Sequence, residues 1–339
     1  MKKRKLFIVT GVVLLLVIEV LSASHVEEEV VLRFTSTPSA LLIPASVLLE
    51  QNTLSQEGIR LEFIPSKGAA DEIALLQRGD VDIALYSAPG GAKMYAKGIE
   101  NIRLVGVYVW KAVYVVAGKD VSDWGDLKGK DVYIDFRGGS PDIIARASMK
   151  AAGYDPDKDF NIKYLPGSEI KRLILSGQAD AAVFSEPHIS QLVLASGGKM
   201  NVAIDCQEGF VKSISGWEKG EEIPIGGLWV VVSNIEGKEK AVEKFIDAFD
   251  EANDYAIKHP QEVGNFTSKS FKQYFGAEFP SKAVEDSIMS GRLKLDFIEV
   301  EDVKPLMPSY LESLGFPIPY EGIYYKAEIS LPEEDDSDD

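Results

Sequence analysis

The residues of this chain whose types could do chemistry sit in short runs that follow apolar stretches. Glu186, within Ser185-Glu186-Pro187, sets a carboxylate at the end of such a stretch, where it suits an amine or a heterocyclic N–H, or pairs with a lysine at the surface. Arg137-Gly138-Gly139-Ser140-Pro141-Asp142 combines glycines that permit close backbone approach with the Ser140 hydroxyl and the Arg137 guanidinium, which can fork onto an anion. Ser66-Lys67-Gly68 precedes a helical pattern, so Ser66, Lys67 and free backbone N–H groups would hold an anion; its other reading is an exposed charge at a turn. Ser36 and Thr37 offer hydroxyls to a ligand, or cap a helix around Pro38. Ser87 and Ser185 could grip one ligand from two sides, or close strand-end turns. Trp110 could stack on a planar ring or belong to the core.

These groups bind; they do not compose a catalytic set. His25, His188 and His259 lie too far apart for local metal-ligand spacing, with His188 read as a partly exposed helix-start residue. Cys206 is the single cysteine and reads as an inert thiol. The expectation is no catalytic residue, no metal and no cofactor.

The elements that must position these runs announce themselves as an internal repeat. Residues 71–89 recur 98 positions later, with Leu75/Leu173, Gly79/Gly177, Asp82/Asp180, Ala84/Ala182, Ser87/Ser185 and Pro89/Pro187 identical. Each copy reads as strand, loop, helix, glycine, strand and Ser-x-Pro. In the first, 61–64 is a short strand that Pro65 ends, because proline gives the ladder no donor. Asp71 and Glu72 suit the positive end of the helix, Gly79 its left-handed end, and 81–86 a buried parallel strand. Further strands are predicted over 31–34, 103–109, 114–117, 131–135 and 228–233, and helices over 39–50, 141–152 and 239–258, with a mostly helical C-terminal part.

The fold class is therefore α/β, with two similar lobes, each a mainly parallel sheet flanked by helices, joined by a two-strand hinge. The expected division is 26–110 with 226–330 as one lobe and 111–225 as the other. The cleft between them would meet the C-terminal ends of strands, where open α/β sheets bind ligands.

The ends differ in kind. Residues 1–24 open with Lys2-Lys3-Arg4-Lys5, continue with an apolar stretch and finish on small residues, the layout of a secretory signal or an uncleaved N-terminal anchor. Either places the folded part outside the cytoplasmic membrane, in a periplasm or on the membrane's outer face. Residues 331–339 carry six acids in Glu333-Glu334-Asp335-Asp336-Ser337-Asp338-Asp339 and read as a disordered acidic tail. Across all 339 residues, 36 Lys and Arg face 53 Asp and Glu, a net charge of −17 that excludes a nucleic-acid partner. With 45% hydrophobic residues the chain is long and apolar enough for two cores.

Three stretches resemble a known family: Gly79-Asp80-Val81-Asp82-Ile83-Ala84, Ser122-Asp123-Trp124-Gly125-Asp126-Leu127-Lys128-Gly129-Lys130, and the run from Gly177 to Pro187. They are similar to solute-binding proteins of ABC importers in the nitrate, sulfonate, taurine and thiamine-precursor class, of the periplasmic binding protein-like II fold. The resemblance covers about 30–254. It implies a monomeric receptor that closes on a small-molecule solute and presents it to a membrane ABC permease with its cytoplasmic ATPase. It also favours a ligand role for Glu186. Many relatives are lipoproteins, and the lipid-accepting cysteine is missing here. The competing readings are an enzyme on the same fold, of the thiamine-pyrimidine synthase or menaquinone-pathway kind, and an extracytoplasmic sensor. Lys67, Lys111 and Arg137 point towards an anionic solute, and Glu186, Trp110 and Tyr86 towards an amine or a ring, so a sulfonate, a taurine-like zwitterion and a pyrimidine all stay open.

Overall fold

The computed structural model describes residues 29–218, 221–316 and 322–326; the leader at 1–24 and the tail at 331–339 lie outside them. The strands are β1 (Val30–Ser36), β2 (Ile59–Pro65), β3 (Ile83–Ser87), β4 (Ile102–Lys111), β5 (Val113–Gly118), β6 (Asp131–Ile134), β7 (Asn161–Tyr164), β8 (Ala181–Ser185), β9 (Met200–Asp205), β10 (Gly226–Val231) and β11 (Lys294–Glu299). The helices of the first half are α1 (Leu42–Gln51), α2 (Ala69–Arg78), α3 (Ala88–Ala96), α4 (Ser140–Ala151) and α5 (Gly167–Leu175). They are followed by α6 (His188–Ala195), α7 (Cys206–Val211), α8 (Val232–Ile235), α9 (Glu239–Lys258), α10 (Pro260–Phe275), α11 (Ser281–Met289), α12 (Val300–Val303) and α13 (Met307–Ser313).

The strands form two sheets, a six-stranded one ordered β11-β4-β10-β3-β1-β2 and a five-stranded one ordered β7-β6-β8-β5-β9. The repeat is visible in this order. β1 lies between and parallel to β2 and β3, as β6 lies between and parallel to β7 and β8. An antiparallel strand then flanks each trio, β10 beside β3 and β5 beside β8. Gly79 and Gly177 end the two equivalent helical segments at φ 69° and 72°, a left-handed geometry that glycine adopts at no steric cost.

The two-lobed α/β class stands, but the sheets are mixed rather than mainly parallel. The physical reason is the double crossing. β5 follows β4 through Ala112 into the second sheet, and β10 returns to the first, and each arriving strand runs against its neighbours. Three other expectations shift. The predicted helix over 39–50 starts at Leu42, because Thr37 Oγ1 and Ser39 Oγ bond each other at 3.1 Å and Ser39 Oγ accepts the Leu41 N–H, forming a turn ahead of the helix. The strand predicted over 228–233 ends at Val231, where α8 begins. β9 and β11 were not anticipated.

Burial explains the assignments. Every residue of β3 and β10 is buried, as expected of strands covered on both faces. On α9 the buried residues Val242, Phe245, Phe249 and Ala256 form a helical stripe, with Phe245 and Phe249 stacked at 6.0 Å. Phe245 meets Phe34 of β1, and Phe249 meets Tyr108 of β4 edge-on at 4.8 Å, which fixes the helix to the six-stranded sheet. Asp82, fully buried, ties β1 to the start of α9: it accepts the Arg33 N–H at 2.7 Å and the Lys238 ammonium at 3.0 Å. No helix among the described residues is long and apolar enough to cross a membrane.

Candidate binding cavity between the lobes

A cavity of about 50 Å³ lies between the two sheets. The six-stranded lobe contributes Thr37, Ser39, Glu72, Tyr86 and Ser87 to its wall; the five-stranded lobe contributes Phe136, Gly139, Ser140, Pro141 and Ser185. Leu41, Val109, Ala112 and Ile225 complete an otherwise apolar lining. Such a space holds water, not an organic solute, so the lobes stand closed and a ligand must enter by their parting.

Several contacts hold them so. Ser140 Oγ lies 2.8 Å from Ser87 Oγ, which also accepts the Gly90 N–H that caps α3. Phe136 adopts a left-handed backbone at φ 46° and lays its ring against Gly68 of the opposite lobe. Any Cβ at Gly68 would meet that ring at 2.9 Å, so the close approach depends on glycine there. His188 Nε2 reaches the Pro38 carbonyl at 2.7 Å, while the Lys171 ammonium donates to its Nδ1 at 2.7 Å. With Nδ1 accepting, the ring proton sits on Nε2 and donates across the cleft. Burial, then the Lys171 charge, push the His188 pKa down to about 3, so the ring is neutral. Burial also pushes Lys171 down to about 8 and Asp135, its charge partner, up to about 7.

The nine residues singled out from sequence separate clearly. Thr37, Ser87 and Ser140 line the cavity, as does Ser185. Ser36 is fully buried and donates to the Thr37 carbonyl at 3.2 Å, and Ser66 is buried and turned onto the Gly68 carbonyl at 3.0 Å. Lys67 is exposed, and it is its backbone N–H that is engaged, by Asp71. Trp110 donates from Nε1 to the Asp296 carbonyl at 2.7 Å and faces a different hollow, beside Lys111, which pairs with Asp205 at 3.0 Å. Arg137 is exposed, with its guanidinium 5.0 Å from the centre of the Tyr164 ring.

Glu186 is fully buried outside the cavity wall, in a cis Glu186–Pro187 peptide. Its carboxylate accepts Arg292 Nε at 2.6 Å and both the N–H and Oγ of Ser190 at 3.0 Å. Arg292 leads into β11 of the other sheet, so this buried ion pair joins the lobes. The sequence reading of a surface lysine partner is replaced by a half-buried arginine, 106 positions away.

Glu72 is the residue that sequence reasoning misread. An acid in the first turn suits the start of α2, but Asp71 performs that role by accepting the Lys67 N–H at 3.0 Å. Glu72 is only 1% exposed and faces the cavity, and its Oε1 has no hydrogen-bond partner. Burial, then the Asp71 charge, push its carboxyl well above the ordinary range. The signal was spacing: Glu72 stands three and four positions before Leu75 and Leu76, on the face of α2 that is buried.

Comparison with known proteins gives a consistent outcome. The family described as NMT1/THI5 like matches residues 50–263. A curated relative from Bacillus subtilis (strain 168), described as "Putative binding protein YtlA", is 23% identical over 228 residues, covering 66% of this chain and 65% of its own length. Among solved structures, the periplasmic aliphatic sulphonate binding protein SsuA of Escherichia coli superposes with a TM-score of 0.69 at 15% identity, over 87% of this chain and 92% of that one. The alkanesulfonate-binding protein SsuA of Xanthomonas axonopodis pv. citri, bound to MOPS, gives 0.68 at 15% identity, over 88% and 99%.

Proposed function

The chain belongs to the NMT1/THI5-like family, and from that premise we propose that it is the extracytoplasmic solute-binding component of an ABC transporter, capturing a small organic solute between its lobes and delivering it to a membrane permease driven by a cytoplasmic ATPase. The observation that carries this reading is the inter-lobe cavity, to which each lobe brings a hydroxyl, Ser87 and Ser140, from the end of a strand or the start of a helix. A solute touching both walls favours the closed state over the open one, and the closed shape is what a permease can recognise. The folds of the two sulfonate binders and the binding-protein description of the Bacillus relative support it.

The enzyme reading finds less support. The Ser87 and Ser140 hydroxyls of the wall bond to each other, and His188 is engaged by Lys171 and Pro38 and held neutral. Among the described residues that line the cavity there is no histidine or cysteine.

A thermal-shift screen over sulfonates, nitrate, bicarbonate, pyrimidines, flavins and small amines tests the proposal. A solute at about a hundred times its dissociation constant stabilises by about 2.7 kcal/mol, and an Ala69→Trp variant that fills the cavity from its half-buried rim removes the shift. No stabilisation by any class would refute it.

A further inference from the structure

Among the described residues, the other buried carboxylates have donors or a nearby cation. Asp82 takes Arg33 and Lys238, Glu186 takes Arg292 and Ser190, and Asp142 takes the Gly138 N–H and the Tyr164 hydroxyl, each at 2.8 Å. Asp135, though one of its oxygens is unpartnered, is under the charge of the half-buried Lys171. Glu72 has no hydrogen bond to Oε1 and, among the described residues, no salt bridge, and it is one of these carboxyls that forms part of the cavity wall. A buried acid left without a partner costs stability, and a partner supplied from outside would recover it.

The rest of the wall reinforces the asymmetry. No lysine or arginine lines the cavity. The cations that pointed towards an anionic solute are committed elsewhere or face solvent: Lys111 to Asp205, Arg137 over Tyr164, Lys67 exposed. An anion entering this space would lose its hydration without meeting a counter-charge, whereas a cation would meet Glu72.

We propose that Glu72 is the specificity-determining residue of the cavity, and that the solute presents it with a protonated amine, amidine or ring N–H on a compact, largely apolar body. This rests on the receptor reading above and narrows its solute. Glu72 releases its proton to solvent on meeting the cation and accepts its N–H, the hydroxyls of Ser87 and Ser140 orient the polar edge, and Tyr86 and Phe136 cover the apolar part. Sulfonates, which bring a negative charge and no donor, are rejected by the same feature.

Calorimetric titration of the full chain with matched probes tests it: benzylamine, benzamidine and 4-aminopyridine on one side, benzenesulfonate and ethanesulfonate on the other. Wild type should bind at least one N–H donor and neither sulfonate. Glu72→Gln, nearly the same shape, and Glu72→Ala should each weaken the donor at least tenfold, with circular dichroism showing a folded chain; Glu72→Gln alone suffices where the alanine variant does not fold. A sulfonate that binds wild type and Glu72→Gln equally overturns the role of Glu72 while leaving the receptor reading intact. So does an amine whose affinity changes less than twofold in both variants. Silence from every probe here and in the wider screen overturns both.

Discussion

Replacing Arg292 with methionine strands a carboxylate that the fold has taken wholly out of water. Glu186 is fully buried and draws three hydrogen bonds, of which the one from Arg292, at 2.6 Å, is the only one that brings charge. Methionine keeps much of the side-chain volume, so the loss is electrostatic. Removing one partner of a buried ion pair costs about 3–5 kcal/mol. Burial already pulls Glu186 above its usual pKa, against Arg292 and the Ser190 donors that hold it down. Without the guanidinium it rises further, so the folded variant keeps a proton that the unfolded chain gives up. Stability of Arg292→Met therefore falls as pH climbs past the ordinary carboxylate range, and the full cost appears at about pH 8 but shrinks at about pH 5. Urea unfolding at both values reads this directly. Glu186→Gln in the same chain should recover most of the loss, since an amide needs no counter-charge. A deficit below about 1 kcal/mol at the higher pH, or one independent of pH, would refute the assignment of Glu186 as a buried ionised partner of Arg292.

Two further outcomes follow from the same coordinates. Gly91 lies against the fully buried Trp229 ring, and a Cβ there would fall within it, so Gly91→Ala should lower stability by about 1–3 kcal/mol in urea; an unchanged midpoint contradicts the close approach. His188 has a folded pKa of about 3 against an ordinary 6.5, so its contribution is present above pH 6.5 and is lost as pH falls towards 3. His188→Gln should flatten the acid limb of the stability curve, and parallel limbs would contradict a buried neutral ring.

The fold was more legible than the site, and the reason is physical. Strand, helix and glycine signals are local: Gly79, Gly177 and the apolar stretches of β3 and β8 declare themselves within a few residues. Their common offset makes the two lobes readable in the sequence alone. Sheet direction is not local. The antiparallel placing of β5 and β10 follows from crossings between sheets, and β11, with an alternating burial pattern, pairs with β4 from nearly two hundred positions away. Site residues depend on such distant meetings. Ser87, Ser140 and Ser185 stand out in the sequence because strand ends and glycine-rich loops mark a cleft mouth, and all three line the cavity. Glu186 looked like a ligand contact because its partner, Arg292, carries no local sign of the pairing. Glu72 was passed over because an acid in a first helical turn has a ready explanation, and only its register with Leu75 and Leu76 turned it inward.

The central claim is that two lobes close on a solute held between them. Small-angle scattering of the chain with and without the best solute from the screen tests it most directly. The account predicts that saturating solute changes the radius of gyration of wild type, as the lobes part and settle around it, and leaves that of Ala69→Trp, whose cavity is filled, unchanged. Equal curves for wild type with and without a solute that demonstrably binds would contradict it.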